Sequence, residues 1–249
     1  MSNSEQVYGF HAVKMLLKTR PHDVLQLFIQ TNRLDHRANE IIQLAKTLSL
    51  SCATISKEQL EKLAGEGVRH QGVLAKCRAQ TAWTENDLMN HVKNADYPVI
   101  LLVLDGVQDP HNLGACLRSA NAFGVTAVII PKDRAASKTD VVKKVASGAA
   151  EQTPLIAVSN LHRTIKQLQE VGMWFTGLDS EAKEVLSSID LTGKIGIVMG
   201  GEAEGLRRLT RESCDYLAHI PMVGGVESLN VSVATGVALY EVQRQRGGQ

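Results

Sequence analysis

The sequence predicts an α/β protein of two domains, with a small front domain and a larger domain built on a parallel sheet covered by helices. Three observations predict this. Six short apolar runs follow one another between residues 98 and 221, with helical stretches between them. Several of these runs consist almost entirely of Val, Ile and Leu, which is typical of strands that are buried on both faces of a parallel sheet. Residues 1–79 hold 11 Lys and Arg against 7 Asp and Glu, whereas residues 80–249 hold 16 against 19.

The front domain is predicted over residues 1–78, where helical and strand-like segments alternate. Helices are predicted over 9–19, 36–50 and 56–65, and strands over 24–30 and 72–78. Pro21 is expected to stop the first helix. Ser56 is expected to be the N-cap of the third helix, which ends at Gly65. The basic charge balance of this domain suggests that it binds a polyanion.

Residues 79–97 are predicted to be a polar connection of weak helical character, and residues 98–249 to be the larger domain. Its strands are predicted over 98–104, 125–131, 153–159, 172–178, 194–200 and 215–221. Ligands of parallel α/β sheets bind at the carboxyl ends of the strands. The informative residues are therefore expected just after these runs.

Composition excludes several classes of protein. Hydrophobic residues make up 44% of the chain and charged residues 21%, which is ordinary for a globular protein. No apolar run approaches the ~20 residues of a membrane span, and the first ten residues lack the features of a signal peptide. The four cysteines are too widely spaced for a zinc or redox motif and are expected to be reduced thiols. A cytoplasmic protein without a bound metal is therefore expected.

Three glycine-rich loops follow predicted strands, over residues 104–124, 197–206 and 220–239. They contain neither a P-loop nor the G-x-G-x-x-G dinucleotide fingerprint, and the chain has no G-x-S-x-G or His-Glu-x-x-His motif. Their glycines are expected to let the backbone approach a ligand of another kind. The alternative is that they only turn the chain.

The third loop is ambiguous in its local structure. Residues 230–239 alternate polar and apolar side chains as a strand does, but Ser232, Ala234 and Gly236 also suit a closely packed helix. Periodicity does not decide between the two. If the segment is helical, Asn230 is a candidate N-cap.

Arg118 is the one charged residue of the helix-like segment 112–123. A helix that is apolar nearly all round is usually buried, so Arg118 is expected to be buried. A buried arginine needs a partner or a functional reason.

Specific residues recur in order along the three loops. They are Asp105, Asp109, Pro110, Asn112, Gly114, Arg118, Ser119 and Ala120 in the first, Val198, Met199, Gly200, Glu202 and Gly205 in the second, and Ile220, Pro221, Met222 and 228–232 in the third. In these motifs the chain resembles the SpoU family of RNA ribose 2′-O-methyltransferases, within the SPOUT superfamily. Residues 8–13 and 69–75 are similar to the substrate-binding domain of many members.

The resemblance implies a trefoil-knotted α/β fold, in which the C-terminal segment passes through a loop. Such knots are rare exceptions among protein folds. It also implies that S-adenosylmethionine binds in the knot as the methyl donor, that no metal is needed, and that the protein is a homodimer. The resemblance extends to members that methylate a guanosine of bacterial 23S ribosomal RNA, which implies that substrate.

The resemblance implies five catalytic residues: Arg118, Asn112, Glu202, Ser228 and Asn230. Asn112 is expected to hold Arg118 or the ribose, Glu202 to orient Arg118, and the last two to position the nucleotide. Because a guanidinium holds its proton too tightly to be a good general base, we expect Arg118 to stay cationic. It would hold the target phosphate and stabilise the forming alkoxide. The alternative is an Arg118–Glu202 ion pair that only braces two loops.

The resemblance also implies which residues surround the cofactor. They are Gly177, Leu178, Met199, Gly200, Ile220, Met222 and Leu229. In the basic front domain, His11, Lys14, Arg69 and His70 are candidates for RNA contacts. Two rival functions stay open: a catalytically silent RNA-binding protein on the same fold, and a methyltransferase acting on transfer RNA. Presence of all five catalytic residues favours an active enzyme.

Overall fold

The computed structural model describes most of the chain as two compact units, Met1–Thr81 and Ala82–Gln249. The residues described are 4–31, 35–65, 67–78, 83–133, 153–202, 204–226 and 228–247. Residues 79–82 of the predicted connection lie outside these ranges.

The first unit is a mixed four-stranded sheet with helices packed against it. Its strands are β1 (Ser4–Tyr8), β2 (Val24–Gln30), β3 (Cys52–Ile55) and β4 (Val73–Arg78), in the order β1-β4-β2-β3. Its helices are α1 (Phe10–Thr19), α2 (His36–Thr47) and α3 (Lys57–Ala64). The β2–β3 pair is parallel and the other two pairs are antiparallel.

All five elements predicted in this unit are confirmed, with small shifts at their ends. Ser56 is the N-cap of α3, as predicted: its hydroxyl accepts from the Gln59 N–H at 3.2 Å, and the Gln59 side chain accepts from the Ser56 N–H at 2.9 Å. Strands β1 and β3 were not predicted, because they are short and mostly exposed and lack a continuous apolar run.

The second unit is a seven-stranded sheet whose strand pairs are all parallel. The order is β7-β6-β5-β10-β8-β11-β9. The strands are β5 (Ile100–Asp105), β6 (Ala127–Pro131), β7 (Leu155–Val158), β8 (Trp174–Leu178), β9 (Glu184–Val185), β10 (Ile195–Gly200) and β11 (Tyr216–His219). The helices are α4 (Glu85–Asn94), α5 (Pro110–Ala122), α6 (Leu161–Glu170), α7 (Arg208–Ser213) and α8 (Val231–Gln245). The parallel sheet and all six predicted strands are confirmed, and only the two-residue β9 was missed.

Both faces of this sheet are buried, which explains its continuous apolar runs. Along β5, Leu102 and Leu104 belong to a core shared with α5 and α8, whereas Leu101 and Val103 belong to a second core shared with α4 and α6. Alternate side chains of a strand point to opposite faces, so both sets must be apolar.

Helix α4 lies within the segment that was predicted to be a connection. Thr84 caps it in a capping box with Asp87, and its Leu88 and Val92 are fully buried in the core of the second unit. Residues 85–94 are therefore a packed element of that unit, and Trp83 and Ala95 on either side of the helix pack against the same core. The weak helical character was predicted, but three apolar residues on a short polar segment gave too weak a pattern to predict that the helix packs into the core.

The ambiguous third segment is a helix, α8. Asn230 is its N-cap and accepts from the Ser232 N–H at 2.9 Å. Small residues bring α8 against α5: the Cys116 sulfur lies 3.5 Å from the Thr235 hydroxyl, and a Cβ on Gly236 would lie 3.7 Å from the Ser119 hydroxyl. The contacts run in the same order along both helices, so α5 and α8 start at the same edge of the sheet.

The strand order reverses direction at β5, which pairs with β6 on one side and β10 on the other. Such switch points are where open α/β sheets bind ligands. Asp105 and Gly200 end these two strands opposite each other.

Within the described ranges, no helix is long and apolar enough to cross a membrane. The knot implied by the resemblance stays a prediction.

Candidate active site

A cavity of about 820 Å³ lies at the carboxyl ends of β8, β10 and β11. Six of the seven residues expected around the cofactor line it. They are Leu178, Met199, Gly200, Ile220, Met222 and Leu229. The predicted catalytic residues Glu202, Ser228 and Asn230 line it as well. The second and third loops therefore meet at this cavity, and no residue of the first loop, 104–124, lines it.

Gly177 is the exception among the expected cofactor residues. It is buried within β8 and does not line the cavity. A Cβ at this position would lie 2.8 Å from the Leu206 side chain and 3.0 Å from those of Cys214 and Leu217. Gly177 is therefore needed for close packing inside the sheet.

Glycines at the end of β10 let three backbone segments touch. A Cβ on Gly200 would lie 2.1 Å from the Gly205 carbonyl carbon, and one on Gly201 would lie 2.8 Å from the Gly106 oxygen. Gly201 and Gly205 also exchange two backbone hydrogen bonds of 3.1 Å. The loop after β10 thus folds back tightly and packs against the loop after β5.

A buried ion pair anchors the far end of this loop. The Asp105 side chain is 0% exposed and accepts from the Arg207 Nε at 2.6 Å, from its Nη2 and, at 3.2 Å, from its backbone N–H. Arg207 is the N-cap residue of α7 and is 35% exposed. The arginine that pairs with a buried carboxylate is therefore Arg207, which the sequence did not single out.

A second ion pair lies in the cavity wall, between Asp179 and Arg211, at 2.6 Å. Burial alone would raise the pKa of Asp179. The Glu181 N–H and the Arg211 guanidinium both donate to this carboxylate and outweigh the burial, so the pKa of Asp179 is lowered. The cavity wall consequently carries a fixed negative charge beside a fixed positive one at neutral pH.

The polypeptide lining the cavity offers unpaired polar groups. In the described parts of 220–229, no backbone group makes a backbone–backbone hydrogen bond. The Nδ1 atom of His219, at the end of β11, is buried and has no hydrogen-bond partner. Buried polar groups are nearly always paired, so the His219 Nδ1 atom is suited to meet a polar ligand or water. The backbone groups of 220–229 lie in a mostly exposed segment and are open to water or a ligand. His219 was not predicted as a site residue. Its position at the end of a strand, immediately before Ile220, could have indicated it.

Three of the predicted catalytic residues form a hydrogen-bonded chain. Asn230 donates from Nδ2 to the Asn112 Oδ1 at 3.1 Å, and Asn112 donates from Nδ2 to the Glu202 Oε1 at 2.8 Å. The Asn230 Oδ1 also accepts from the Ser232 hydroxyl at 2.6 Å. These bonds fix the orientation of both amides and join the three loops. They leave the second Glu202 oxygen available.

Arg118 is exposed, so the expectation that it would be buried was wrong. Helix α5 buries one face with Leu113, Cys116 and Leu117, and Arg118 points away from that face. Its guanidinium makes no hydrogen bond or ion pair within the described residues, so the brace with Glu202 is not formed. Glu202 binds Asn112 instead of orienting Arg118. Arg118 and Asn112 lie outside the cavity lining.

Two of the four residues expected to contact RNA line a cavity, and the other two do not. Arg69 and His70 line a cavity of the first unit. Lys14 is already paired with Glu40, and the hydrogen bond from Lys14 lowers the pKa of that carboxyl. His11 is exposed on α1 and lines neither cavity.

The second unit is an α/β domain with a cavity at the carboxyl ends of β8, β10 and β11 of its parallel sheet, and the volume of this cavity is that of a small-ligand site. No cluster of His, Cys, Asp and Glu in the described part of the chain could hold a metal ion. Two family models match this chain. Residues 99–240 match the SpoU rRNA methylase family, and residues 6–83 match the substrate-binding domain of RNA 2′-O ribose methyltransferases. The chain belongs to the SpoU rRNA methylase family.

Curated relatives match nearly the whole chain. The 23S rRNA (guanosine-2′-O-)-methyltransferase RlmB of Coxiella burnetii is 53% identical over 99% of this chain and 98% of its own length. The protein of the same name from Yersinia pestis is 52% identical, with 98% of each chain covered. Among solved structures, the SpoU methyltransferase AviRb of Streptomyces viridochromogenes in complex with AdoMet has a TM-score of 0.73 at 21% identity. That match covers 99% of this chain and 92% of AviRb, and it supports the fold.

Proposed function

We propose that this protein transfers a methyl group from S-adenosylmethionine to the ribose 2′-hydroxyl of a guanosine in 23S ribosomal RNA, in the cytoplasm. Relatives that carry this activity in their names are about half identical to this chain over nearly its whole length. The observation that carries the proposal is the Asn230–Asn112–Glu202 chain of hydrogen bonds beside the cavity. It unites the three loops whose residues first suggested the activity.

The cavity suits S-adenosylmethionine. Its walls combine aliphatic side chains, such as Met199 and Ile220, with unpaired backbone groups and the His219 Nδ1 atom. Aliphatic surface can cover an adenine ring, and backbone groups can bind its edge and the ribose hydroxyls. The related AviRb fold binds AdoMet. When bound, S-adenosylmethionine supplies a methyl group on a sulfonium.

The main task left to the protein is to prepare the ribose hydroxyl, which is a weak nucleophile until its proton leaves. Arg118 is exposed and has no partner among the described residues, so its guanidinium can hold an RNA phosphate and stabilise negative charge on the 2′-oxygen. A guanidinium is a poor base, and the proton leaves to the phosphate or to water. Asn112, Glu202 and Asn230 hold the loops in register, and Ser228 offers a hydroxyl at the cavity edge.

A homodimer forms through α8 in this proposal. Val233, Val237 and Tyr240 are 52%, 40% and 59% exposed and lie at i, i+4 and i+7 on one helix face. Residues with this spacing form a continuous apolar stripe. Exposed apolar stripes commonly mark protein–protein contacts, and a second copy of the chain is the occupant that the resemblance implies.

The proposal is tested with the purified full chain, labelled S-adenosylmethionine and ribosomal RNA from a strain that lacks the gene. We expect label in 23S ribosomal RNA, none in 16S ribosomal RNA or transfer RNA, and the same rate with a metal chelator present. Label in transfer RNA alone would contradict the substrate. Tight RNA binding without any label would support a catalytically silent RNA-binding protein instead.

A further inference from the structure

A second cavity, of about 590 Å³, lies entirely within the first unit. The first turns of three helices border it, through Phe10 of α1, His36 of α2 and Lys57 of α3, and the segment 68–71 closes one side. The amino ends of helices carry partial positive charge from the backbone dipoles. Its volume lies within the range of small-ligand sites.

His70 is a buried group whose free donor faces this cavity. It is only 8% exposed, and its Nδ1 accepts the Gly72 N–H at 3.1 Å. An accepting Nδ1 places the proton of the neutral ring on Nε2. The Nε2–H has no protein partner within the described residues, and it is not among their buried unpaired atoms. This donor is therefore open to water or to an acceptor on a ligand in the cavity that His70 lines.

The charges around the cavity favour an anion. Arg37 and Arg69 are exposed and make no ion pair or hydrogen bond with any residue described. Lys57 lies 3.6 Å from Glu61 and is partly neutralised by it. The acidic residue of the lining is Asp35, whose carboxylate already accepts the Ala38 N–H at 2.9 Å as the cap of α2. Two unpaired guanidiniums therefore face an approaching ligand.

We propose that this cavity binds one unpaired nucleotide of the RNA substrate. Arg37 and Arg69 hold its phosphate, and the His70 Nε2–H donates to an oxygen or ring nitrogen of its base. A duplex presents its phosphates on a convex surface, whereas a donor in the wall of a cavity is reached by a base turned out of its stack. Sequence-specific RNA recognition commonly uses such unstacked bases. The inference rests on the proposed function, because that function supplies RNA as the ligand.

Two substitutions at His70 separate binding from folding. His70→Asn keeps an acceptor close to the Nδ1 position for Gly72 and removes the Nε2 donor. His70→Gln places an amide donor near the Nε2 position and removes the acceptor. If His70 binds the ligand, the Asn variant loses RNA affinity by roughly tenfold, the size of one hydrogen bond to a buried group, and melts like the wild type. The Gln variant then retains more affinity and melts at a lower temperature.

The arginines are tested in the full chain by Arg37→Gln with Arg69→Gln. The matched control is Lys46→Gln with Lys62→Gln, which removes two exposed cations of the same unit outside the cavity. Affinity for a 23S ribosomal RNA transcript is measured over a range of salt concentrations. We expect the arginine pair to reduce the slope of log K against log salt by about 0.7, corresponding to the one phosphate of a single strand that both arginines hold, and the control pair to leave it nearly unchanged.

Several outcomes would overturn the inference. Equal affinity of wild type, His70→Asn and the arginine pair would remove the cavity from RNA binding. A reduced salt slope in the arginine pair with a normal His70→Asn would mean that phosphates are bound but no base enters. If duplex and single-stranded RNA compete equally well for binding, this too would mean that no base enters the cavity. If the wild type binds the transcript but transfers no methyl group, the proposed function fails, and the binding data still decide about the cavity.

Discussion

Replacing Asp105 with asparagine should loosen the loop that forms one wall of the cavity proposed to bind S-adenosylmethionine. The two side chains have the same shape, but the asparagine has no charge and presents an NH₂ group toward the donors of Arg207. Breaking a buried pair by removing one partner is destabilising by about 3–5 kcal/mol. Because Arg207 is 35% exposed and can turn to water, we expect the lower end, about 3 kcal/mol.

For a unit the size of Ala82–Gln249, a loss of this size lowers Tm by roughly 6–12 °C. The relevant unfolding transition is the one that S-adenosylmethionine shifts upward, since binding stabilises only the unit that holds the ligand. Cofactor affinity should also fall, because Arg207 anchors residues 201–206 in the cavity wall. Glu212→Gln is the matched control, since it breaks the exposed Arg208–Glu212 pair on α7. A change for Asp105→Asn as small as that of the control would refute the anchoring role.

Four further predictions follow from the site and its surroundings. Arg118→Lys should reduce the methyl-transfer rate roughly 100-fold or more, because lysine lacks the planar fork that can bind two oxygens, and should leave cofactor affinity unchanged. His219→Phe should weaken S-adenosylmethionine binding roughly fivefold in calorimetry, the effect of one lost hydrogen bond. Val237→Asp should yield a monomer in light scattering, because it places a charge in the exposed stripe of α8. In native protein at neutral pH, a thiol reagent should modify Cys52 and leave the other three cysteines unmodified, since burial raises their pKa values to about 11 or 12.

These predictions have distinct contrary outcomes. A near-native rate with a lower melting temperature in Arg118→Lys would make Arg118 a structural residue. Unchanged binding in His219→Phe would mean that its Nδ1 meets water instead of the cofactor. Leu63→Asp, on an exposed apolar residue of α3, is the control for Val237→Asp, and dissociation of both would indicate a general effect of charge. Rapid modification of Cys116 would show that α5 and α8 separate in solution.

The sequence was sufficient to predict the sheet of the second unit. Strands such as Ile100–Asp105 are buried on both faces, so their apolar runs are continuous and easily recognised. Strands β1 and β3 expose alternate residues and are only four or five residues long, so they left no comparable pattern. The sequence left residues 230–239 open between strand and helix. The small residues that allow α8 to pack on α5 interrupt the helical spacing of its apolar residues, so only the structure decides.

The sequence predicted which loop residues belong to the site. It did not predict their contacts or burial, which depend on residues far away in the chain. Asn112 and Glu202 were both identified, but their mutual bond was not, because the two lie 90 residues apart. Arg118 was expected to be buried on the evidence of apolar neighbours. Those neighbours occupy one face of α5, and small residues such as Ala115 and Ala122 leave the other face open to solvent. Gly177 was assigned to the cofactor by the family resemblance, although it packs inside the sheet.

The position of the new methyl group on the RNA tests the central claim most directly. A 2′-O-methyl group removes the hydroxyl that attacks the neighbouring phosphate in alkali, so the modified linkage resists alkaline cleavage. After reaction with the full chain, 23S ribosomal RNA from a strain lacking the gene should gain one such resistant linkage, at a guanosine. A transcript with 2′-deoxyguanosine at that position should accept no methyl group. Methylation of the deoxy transcript, or label that leaves every linkage sensitive to alkali, would place the methyl group on a base and contradict the account.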